Sequence, residues 1–315
     1  MDGRLHLKNR PVAESRAGTG ELGQAGPHEG RSISVLDSTS WSTFLRRARD
    51  LSYRACSPVD RILRRLQGKP DLPPLWLRRH TGAVSSFLPA AAQTMARVHE
   101  TGLLTPRSSV LDIGCGCGAM AFELRAHLDP DEGRYVGFDV HGPSIAWCSA
   151  HFEEDPRFVF ELAKLASPYS THVDRKTKAE DYRFPVDDES VDLVLAKSVF
   201  THMDLAGVEN YLGEISRVLR PATGRALVTF FLFERNGVDS PPALPYPEDP
   251  AATIRWKIQG HPSAAIGFDR PLIEESVTSS GLEIDSFIQG FWPGREARIT
   301  GQDQLILRKA GHCRR

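Results

Sequence analysis

Apolar and polar residues recur along this chain on two different periods, and the switching between them predicts the architecture. SSFLPAAAQTMARVHETGLL (residues 85–104) carries apolar side chains at the spacing of one helix face, whereas SSVLDIG (108–114) is a short apolar strand. AMAFELRAHL is helical again, RYVGFDV (134–140) a strand, GPSIAWCSAHF a helix and RFVFEL a strand. The pattern resumes with VDLVLAKS (strand, 191–198), AGVENYLGEISRVLR (helix) and GRALVTFFLF (strand). Strands alternating with helices of this length predict an α/β fold, a Rossmann-like doubly wound sheet. LEIDSFIQGFW and QDQLILRK then alternate as an antiparallel pair would at one sheet edge. In such sheets ligands bind beyond the carboxyl ends of the strands, near the point where strand order reverses.

The first part of the chain breaks this rhythm. Residues 1–33 hold almost no large apolar groups and cannot offset their ordering entropy, so a disordered tail is expected. WSTFLRRARDLSYRACSPVDRILRRLQG reads as two basic amphipathic helices parted at Ser57-Pro58, followed by the stiff linker PDLPPLW. We take residues 34–84 as a helical extension, either a solvated face or a lid, and 85–311 as the ligand-binding domain. SPPALPYPEDP reads as a surface crossover.

With 315 residues the chain is long enough to bury a substantial core. A net charge of −1 leaves no general electrostatic footprint for nucleic acid or an acidic membrane. No apolar run is long enough to span a bilayer, and the N-terminus has no signal-peptide core. Five cysteines suit a reducing compartment, so a cytoplasmic protein is expected.

The candidate chemistry centres on VLDIGCGCG. Cys115 and Cys117 are too close together for a zinc site without a second ligand pair, so no metal is expected and both read as small neutral residues in a turn. A nicotinamide fingerprint requires Gly-x-Gly-x-x-Gly, whereas Gly114, Gly116 and Gly118 run one residue shorter, and no Gly-Lys-Ser/Thr follows for a P-loop. Asp139 ends the second strand, where a carboxylate accepts hydrogen bonds from ribose hydroxyls. The loop and Asp139 together describe a nucleoside site whose other half need not be a pyrophosphate.

VLDIGCGCG, YVGFDV, FPVDDESVDLVLAKSVFTHM and EISRVLRPATGRALVTFF, in this order, resemble the class I S-adenosylmethionine-dependent methyltransferases over residues 85–310. The resemblance implies seven strands with the last antiparallel, and S-adenosylmethionine as cofactor. It implies Asp112, Cys115 and the Gly114–Gly118 backbone along the methionine half, Asp139 on the ribose diol, and Val140, Lys197 and Ser198 as further cofactor contacts. GFWPGREARITGQDQ with SVFTHM is similar to a bacterial subset active on sugars and natural products. The chain departs from the pattern at Lys164, where an adenine-reading carboxylate is usual and Glu161 or Glu180 must substitute, at Ala119, where the subset often has Arg, and at PATGR.

A hydroxyl acceptor needs a base, and a histidine suits that task near neutral pH. His202, just past the fourth strand, is the catalytic candidate, with Ser198 and Tyr169 as neutral partners, His172 nearby in sequence and Asp204 available to orient the imidazole. A packing or capping role for His202 is the alternative. Trp147 reads either as core packing or as a ring against the cofactor, and Trp256 and Trp292 as walls of an acceptor pocket. The expected activity is methyl transfer to oxygen of a small polar metabolite, with no nucleic-acid or membrane partner. Two alternatives stay open. S-adenosylmethionine can be its own substrate, closing to azetidine-2-carboxylate with release of methylthioadenosine, or the fold can bind without turnover.

Overall fold

The computed structural model describes residues 51–79, 84–170, 177–235, 244–247, 249, 251–258, 264–292 and 301–311. The expectations placed on residues 1–50 and 80–83 and on His172 lie outside these. The strands are β1 (Ser109–Ile113), β2 (Arg134–Asp139), β3 (Phe158–Leu162), β4 (Leu193–Ala196), β5 (Arg225–Phe230), β6 (Leu232–Phe233), β7 (Ile254–Trp256), β8 (Ile266–Asp269), β9 (Leu282–Ile288) and β10 (Asp303–Lys309). Seven of them form one sheet in the order β3-β2-β1-β4-β5-β10-β9. The pairs β1–β2, β1–β4, β2–β3 and β4–β5 are parallel, and β10 runs antiparallel to both β5 and β9. This is the Rossmann-like sheet with an antiparallel last strand that the apolar pattern and the resemblance predict.

Burial follows the strand period. Leu111, Ile113, Val194, Ala196 and Val228 pack on one face of the sheet against α6 (Leu205–Val218) and α7 (Arg270–Ser279). Val110, Leu193, Leu195 and Leu227 point to the other face, against α3 (Phe87–Glu100) and α4 (Ala119–Arg125). Helices cover both faces, so the central strands carry unbroken apolar runs rather than alternation. α5 (Gly142–His151) opens with Pro143 where a helix leaves its first amides unpaired. α6 opens on Asp204, whose carboxylate accepts a 3.0 Å hydrogen bond from the Gly207 amide. One oxygen of that carboxylate is thus engaged as a helix cap, beside the expected role of orienting His202.

GRALVTFFLF does not continue as one strand. After Phe230 the chain leaves the main sheet, and Leu232–Phe233 pair with β8 in a second sheet ordered β6-β8-β7. The break has a cause at Asp303, which is fully buried. Its carboxylate accepts hydrogen bonds from the Leu232 amide (2.8 Å), the Gly290 amide (2.8 Å) and Trp292 Nε1 (2.6 Å). Three donors from three segments converge on one carboxylate, joining β5's exit, the end of β9 and the start of β10. Trp292 is thus a strut on Asp303 rather than a pocket wall.

Ahead of the sheet, α1 (Ser57–Leu66) and α2 (Leu75–Arg78) are tied by Asp60, which pairs with Arg64 (2.9 Å) and Arg78 and accepts the Leu75 amide (3.2 Å). Leu77 of α2 is buried with Phe87 and Cys117, so this extension packs directly on the glycine loop. Among the described residues no helix is long and apolar enough to cross a membrane.

Replacing Asp303 by Ala strands two buried amides and the part-buried Trp292 indole N–H, each worth about 1–3 kcal/mol when unsatisfied. Denaturant unfolding of Asp303→Ala is expected to show a loss of at least about 3 kcal/mol, with the sheet's far-UV signal retained below the transition.

Candidate active site

The carboxyl ends of β1, β2 and β4 open on a cleft of about 1140 Å³. It sits where the strand order reverses between β1 and β4, which leaves room between connections that turn to opposite faces. At its β1–β2 end the backbone does the shaping. Gly114, Gly116 and Gly118 have φ of 69°, 54° and 81°, all in the left-handed region where L side chains are strained. At Gly114 a methyl group would also lie 2.7 Å from Val199 Cγ2, so glycine is required twice over. Gly114 and Gly116 line the cleft, and Gly118 sits behind them as the N-terminal cap of α4.

Two carboxylates flank this loop. Asp139 Oδ2 accepts from the Gly116 amide (2.8 Å) and Oδ1 from the His141 amide (2.7 Å), so both carboxylate oxygens are held by backbone. Burial raises the Asp139 pKa, and those two amides partly offset the rise. Asp112, 3 % exposed, accepts from the Tyr135 hydroxyl at 2.7 Å. Burial pushes its pKa to about 7, with the Tyr135 bond and Lys197 opposing and the Asp139 charge adding to the rise. Lys197 is itself held by the Ala90 carbonyl at 2.8 Å, and its pKa is lowered by burial.

Two acids beside the glycines repel a pyrophosphate and suit hydroxyl donors and a cation. That is the donor set of a nucleoside carrying a positively charged tail, and S-adenosylmethionine fits it.

The three cysteines beside the loop are inert. Burial raises all three thiols, Cys117 to about 12, and among the described residues no group of three or more His, Cys, Asp or Glu is placed to hold a metal. Cys148 Sγ stands 3.2 Å from where a Cβ at Gly118 would lie, so small side chains here allow the close approach. Trp147 stacks on His151 at 4.7 Å and packs beside Phe122, away from the cleft lining, which is its packing reading.

The β4–β5–β10 end is different in character. Ser198 lines the cleft with φ 58°, an unusual conformation for a residue with a side chain. Its amide donates to Thr229 Oγ1 (2.8 Å), its hydroxyl donates to Gln302 Oε1 (3.0 Å), and the Thr229 hydroxyl donates to the same oxygen (2.7 Å). Ser198 therefore acts as a bracket between β4, β5 and β10. His202 lies on the short turn Phe200–His202 with Nδ1 3.5 Å from the Tyr169 hydroxyl, their rings edge to face at 5.7 Å.

Tyr169 reaches His202 because the chain makes an excursion after β3. A bridge between Leu165 and Thr177 closes that excursion at its base. Leu165 through Tyr169 then line the cleft, and the chain returns to it at Lys178 and Glu180. Glu180 pairs with Lys178 at 2.8 Å, whereas Glu161 and Lys164 are exposed and away from the cleft. Of the two acids offered for adenine recognition, the fold brings only Glu180 to the site.

Asp112, Cys115, Asp139, Val140, Lys197 and Ser198 all line the cleft, as do Tyr169 and His202. Sequence reasoning missed Arg79, Phe231, Lys257 and Ala265, which also line it. Arg79, Lys257 and Ala265 stand in no motif, Phe231 only closes one, and the second sheet brings Lys257 and Ala265 to the rim. Trp256 lies in β7, half-buried against the core, and is not part of the lining.

Residues 111–226 match the protein family described as "Methyltransferase domain". Solved structures similar to this chain include 1,6-didemethyltoxoflavin-N1-methyltransferase from Burkholderia thailandensis, bound to 1,6-didemethyltoxoflavin and S-adenosylhomocysteine. That likeness has 17 % identity and a TM-score of 0.47, covering 83 % of this chain and 91 % of that one. An S-adenosylmethionine-dependent methyltransferase from Methanosarcina mazei is also 17 % identical, with a TM-score of 0.45 over 67 % of this chain and 96 % of that one. A putative sarcosine dimethylglycine methyltransferase from Galdieria sulphuraria is 13 % identical, with a TM-score of 0.46 over 70 % of this chain and 84 % of that one.

The raised pKa of Asp112 predicts a signature in stability. Its ordinary value is 3.8 and its folded value about 7, so between these the folded state holds the proton more tightly than the unfolded chain. This group's contribution to stability therefore falls as pH rises through that window, by about 1.4 kcal/mol per unit of pKa difference at most. Asp112→Asn keeps an acceptor for Tyr135 and removes the charge. Thermal unfolding is expected to show variant and wild type alike near pH 4, with the variant more stable by at least about 1 kcal/mol at pH 7.5.

Proposed function

We propose that this chain, whose residues 111–226 match a methyltransferase domain, is a class I S-adenosylmethionine-dependent enzyme that transfers the methyl group of that cofactor to a hydroxyl oxygen of a small polar molecule. The observation that carries this reading is the cleft's two-ended character. One end has two carboxylates and a glycine backbone; the other has His202, Tyr169 and Gln302. At about 1140 Å³ the cleft exceeds the roughly 300–1000 Å³ typical for a single small ligand. That space favours a second substrate over a cofactor that reacts with itself.

Bound S-adenosylmethionine supplies a methyl group on a sulfonium, an electrophile that needs no further activation. With the cofactor bound, Asp139 would accept hydrogen bonds from the ribose hydroxyls, and Asp112 would pair with the ammonium, which would hold it ionised. Glu180 takes the adenine end, beside Lys178. The left-handed glycine backbone lets the ligand approach where side chains would intrude. At the other end His202 accepts the proton of the acceptor hydroxyl as the new bond forms, and the Tyr169 hydroxyl beside Nδ1 fixes the ring.

Ser198 and Gln302 set the shape of the acceptor side rather than move protons, because the Ser198 hydroxyl already donates within the bracket. The excursion carrying Tyr169, with α2 packed on the glycine loop, shields the reacting atoms from water. Aligning two reactants in such a site contributes up to roughly 7–11 kcal/mol. Gln302 belongs to the Gly-x-Trp…Gln-Asp stretch, which supports an acceptor among hydroxylated natural products or sugars.

The direct test is to incubate the protein with S-adenosylmethionine, with and without a panel of hydroxylated small molecules, and to resolve products by mass spectrometry. S-adenosylhomocysteine formed only with an acceptor is the expected result; methylthioadenosine formed without one would replace this reading with cyclisation. Asp139→Ala is expected to weaken S-adenosylhomocysteine binding by about a hundredfold in calorimetry, the worth of two charged hydrogen bonds. His202→Ala is expected to leave that affinity within about twofold while lowering the turnover of an identified acceptor by about 10²–10⁴-fold.

A further inference from the structure

The helix α1 is built the wrong way round for a helix on a globular surface. Its inward side carries Asp60 and Arg64, each 8 % exposed and bound to each other, and Asp60 also pairs with Arg78. Its outward side carries Val59, Ile62, Leu63 and Leu66, exposed by 60, 58, 49 and 79 %. These positions follow the i, i+3, i+4, i+7 spacing of a single helical stripe. Elsewhere on the described surface, exposed large apolar residues such as Val159 and Ile258 stand singly. Here four share one ten-residue helix, and Leu51 (69 %) lies just ahead of it.

The charge around the stripe selects what can cover it. Arg54, Arg61, Arg65 and Lys69 are exposed along residues 51–70. The one acid in that span, Asp60, is buried and bound to two guanidinium groups. A second copy docking through the same stripe would set arginines against arginines. A helix this short also falls well below the roughly 800 Å² per partner of a stable interface. An apolar stripe bordered by cations matches the boundary of an anionic bilayer, where apolar side chains enter the acyl region and arginines meet phosphates.

We infer that α1 docks on an anionic lipid surface through Val59, Ile62, Leu63 and Leu66, with Arg61 and Arg65 on the headgroups. Near-zero net charge over the whole chain conceals this local concentration. The docking helix joins the catalytic domain through the Asp60–Arg78 pair, one residue before Arg79 of the cleft lining, so the lipid-facing side and the cleft share a rim. The inference stands apart from the methyl-transfer reading and does not depend on it.

The full-length protein is floated at low salt with vesicles of phosphatidylcholine alone, or of equal parts phosphatidylcholine and phosphatidylglycerol. It is expected to rise with the phosphatidylglycerol vesicles and to stay behind with phosphatidylcholine alone. Ile62→Glu/Leu66→Glu is expected to float roughly tenfold less, with unchanged thermal unfolding, and Val59→Ser/Leu63→Ser provides the same comparison if the first variant fails to fold. Arg61→Gln/Arg65→Gln is expected to lose the preference for phosphatidylglycerol. Absence of flotation, or equal flotation of wild type and the stripe variants, overturns the proposal. Light scattering that finds a wild-type dimer and a monomeric stripe variant also overturns it, because the stripe is then a contact between copies.

Discussion

Keeping two carboxylates buried beside one turn of backbone is the constraint on which the site depends. An ionised carboxylate loses much of its hydration on burial and persists only where amides, hydroxyls or cations replace the water. Asp139 obtains two amides, one from the glycine loop and one from the chain after β2. That arrangement requires Gly116 to turn its N–H inward, which the left-handed conformation of the loop supplies. Asp112 has only the Tyr135 hydroxyl and the field of Lys197, and so titrates near neutrality. The protein thus holds in its cleft a carboxyl group whose charge is only partly compensated by its own neighbours.

A second carboxylate organises the opposite end without entering it. Asp303 gathers the exits of β5 and β9, and its neighbour Gln302 accepts the hydroxyls of Ser198 and Thr229. The two adjacent residues divide the work, one toward the core and one toward the cleft. The last strand runs antiparallel between β5 and β9, which brings these C-terminal residues beside β4. Ser198 accepts a left-handed backbone at that junction, a local strain maintained by three hydrogen bonds.

The family match spans residues 111–226, from β1 into β5, and takes in the cofactor end of the cleft. Arg79, Phe231, Lys257, Ala265 and Gln302 fall outside it. The matched segment supplies both carboxylates, the glycine loop, Tyr169, Ser198 and His202, whereas the extension, the second sheet and the residue before the last strand complete the lining.

The sequence by itself determined the doubly wound sheet, the glycine loop and Asp139, because each depends on neighbours a few residues away. Apolar runs bury on two faces, left-handed turns need glycine, and a strand's last residue stands at the sheet's edge. Tertiary structure decided which of several plausible side chains were free to act. Asp204 lies close to His202 in sequence, and the start of α6 engages one oxygen of its carboxylate as a cap. Tyr169 meets His202 from the segment that follows Leu165 of the Leu165–Thr177 bridge, and Lys257 reaches the rim through the pairing of β7 with β8. Trp292 is turned from the cleft by Asp303, eleven residues on, which accepts its indole N–H. The direction in which α1 faces was equally hidden. Its stripe is plain in the sequence, but only the burial of Asp60 with Arg64 and Arg78 turns that stripe outward.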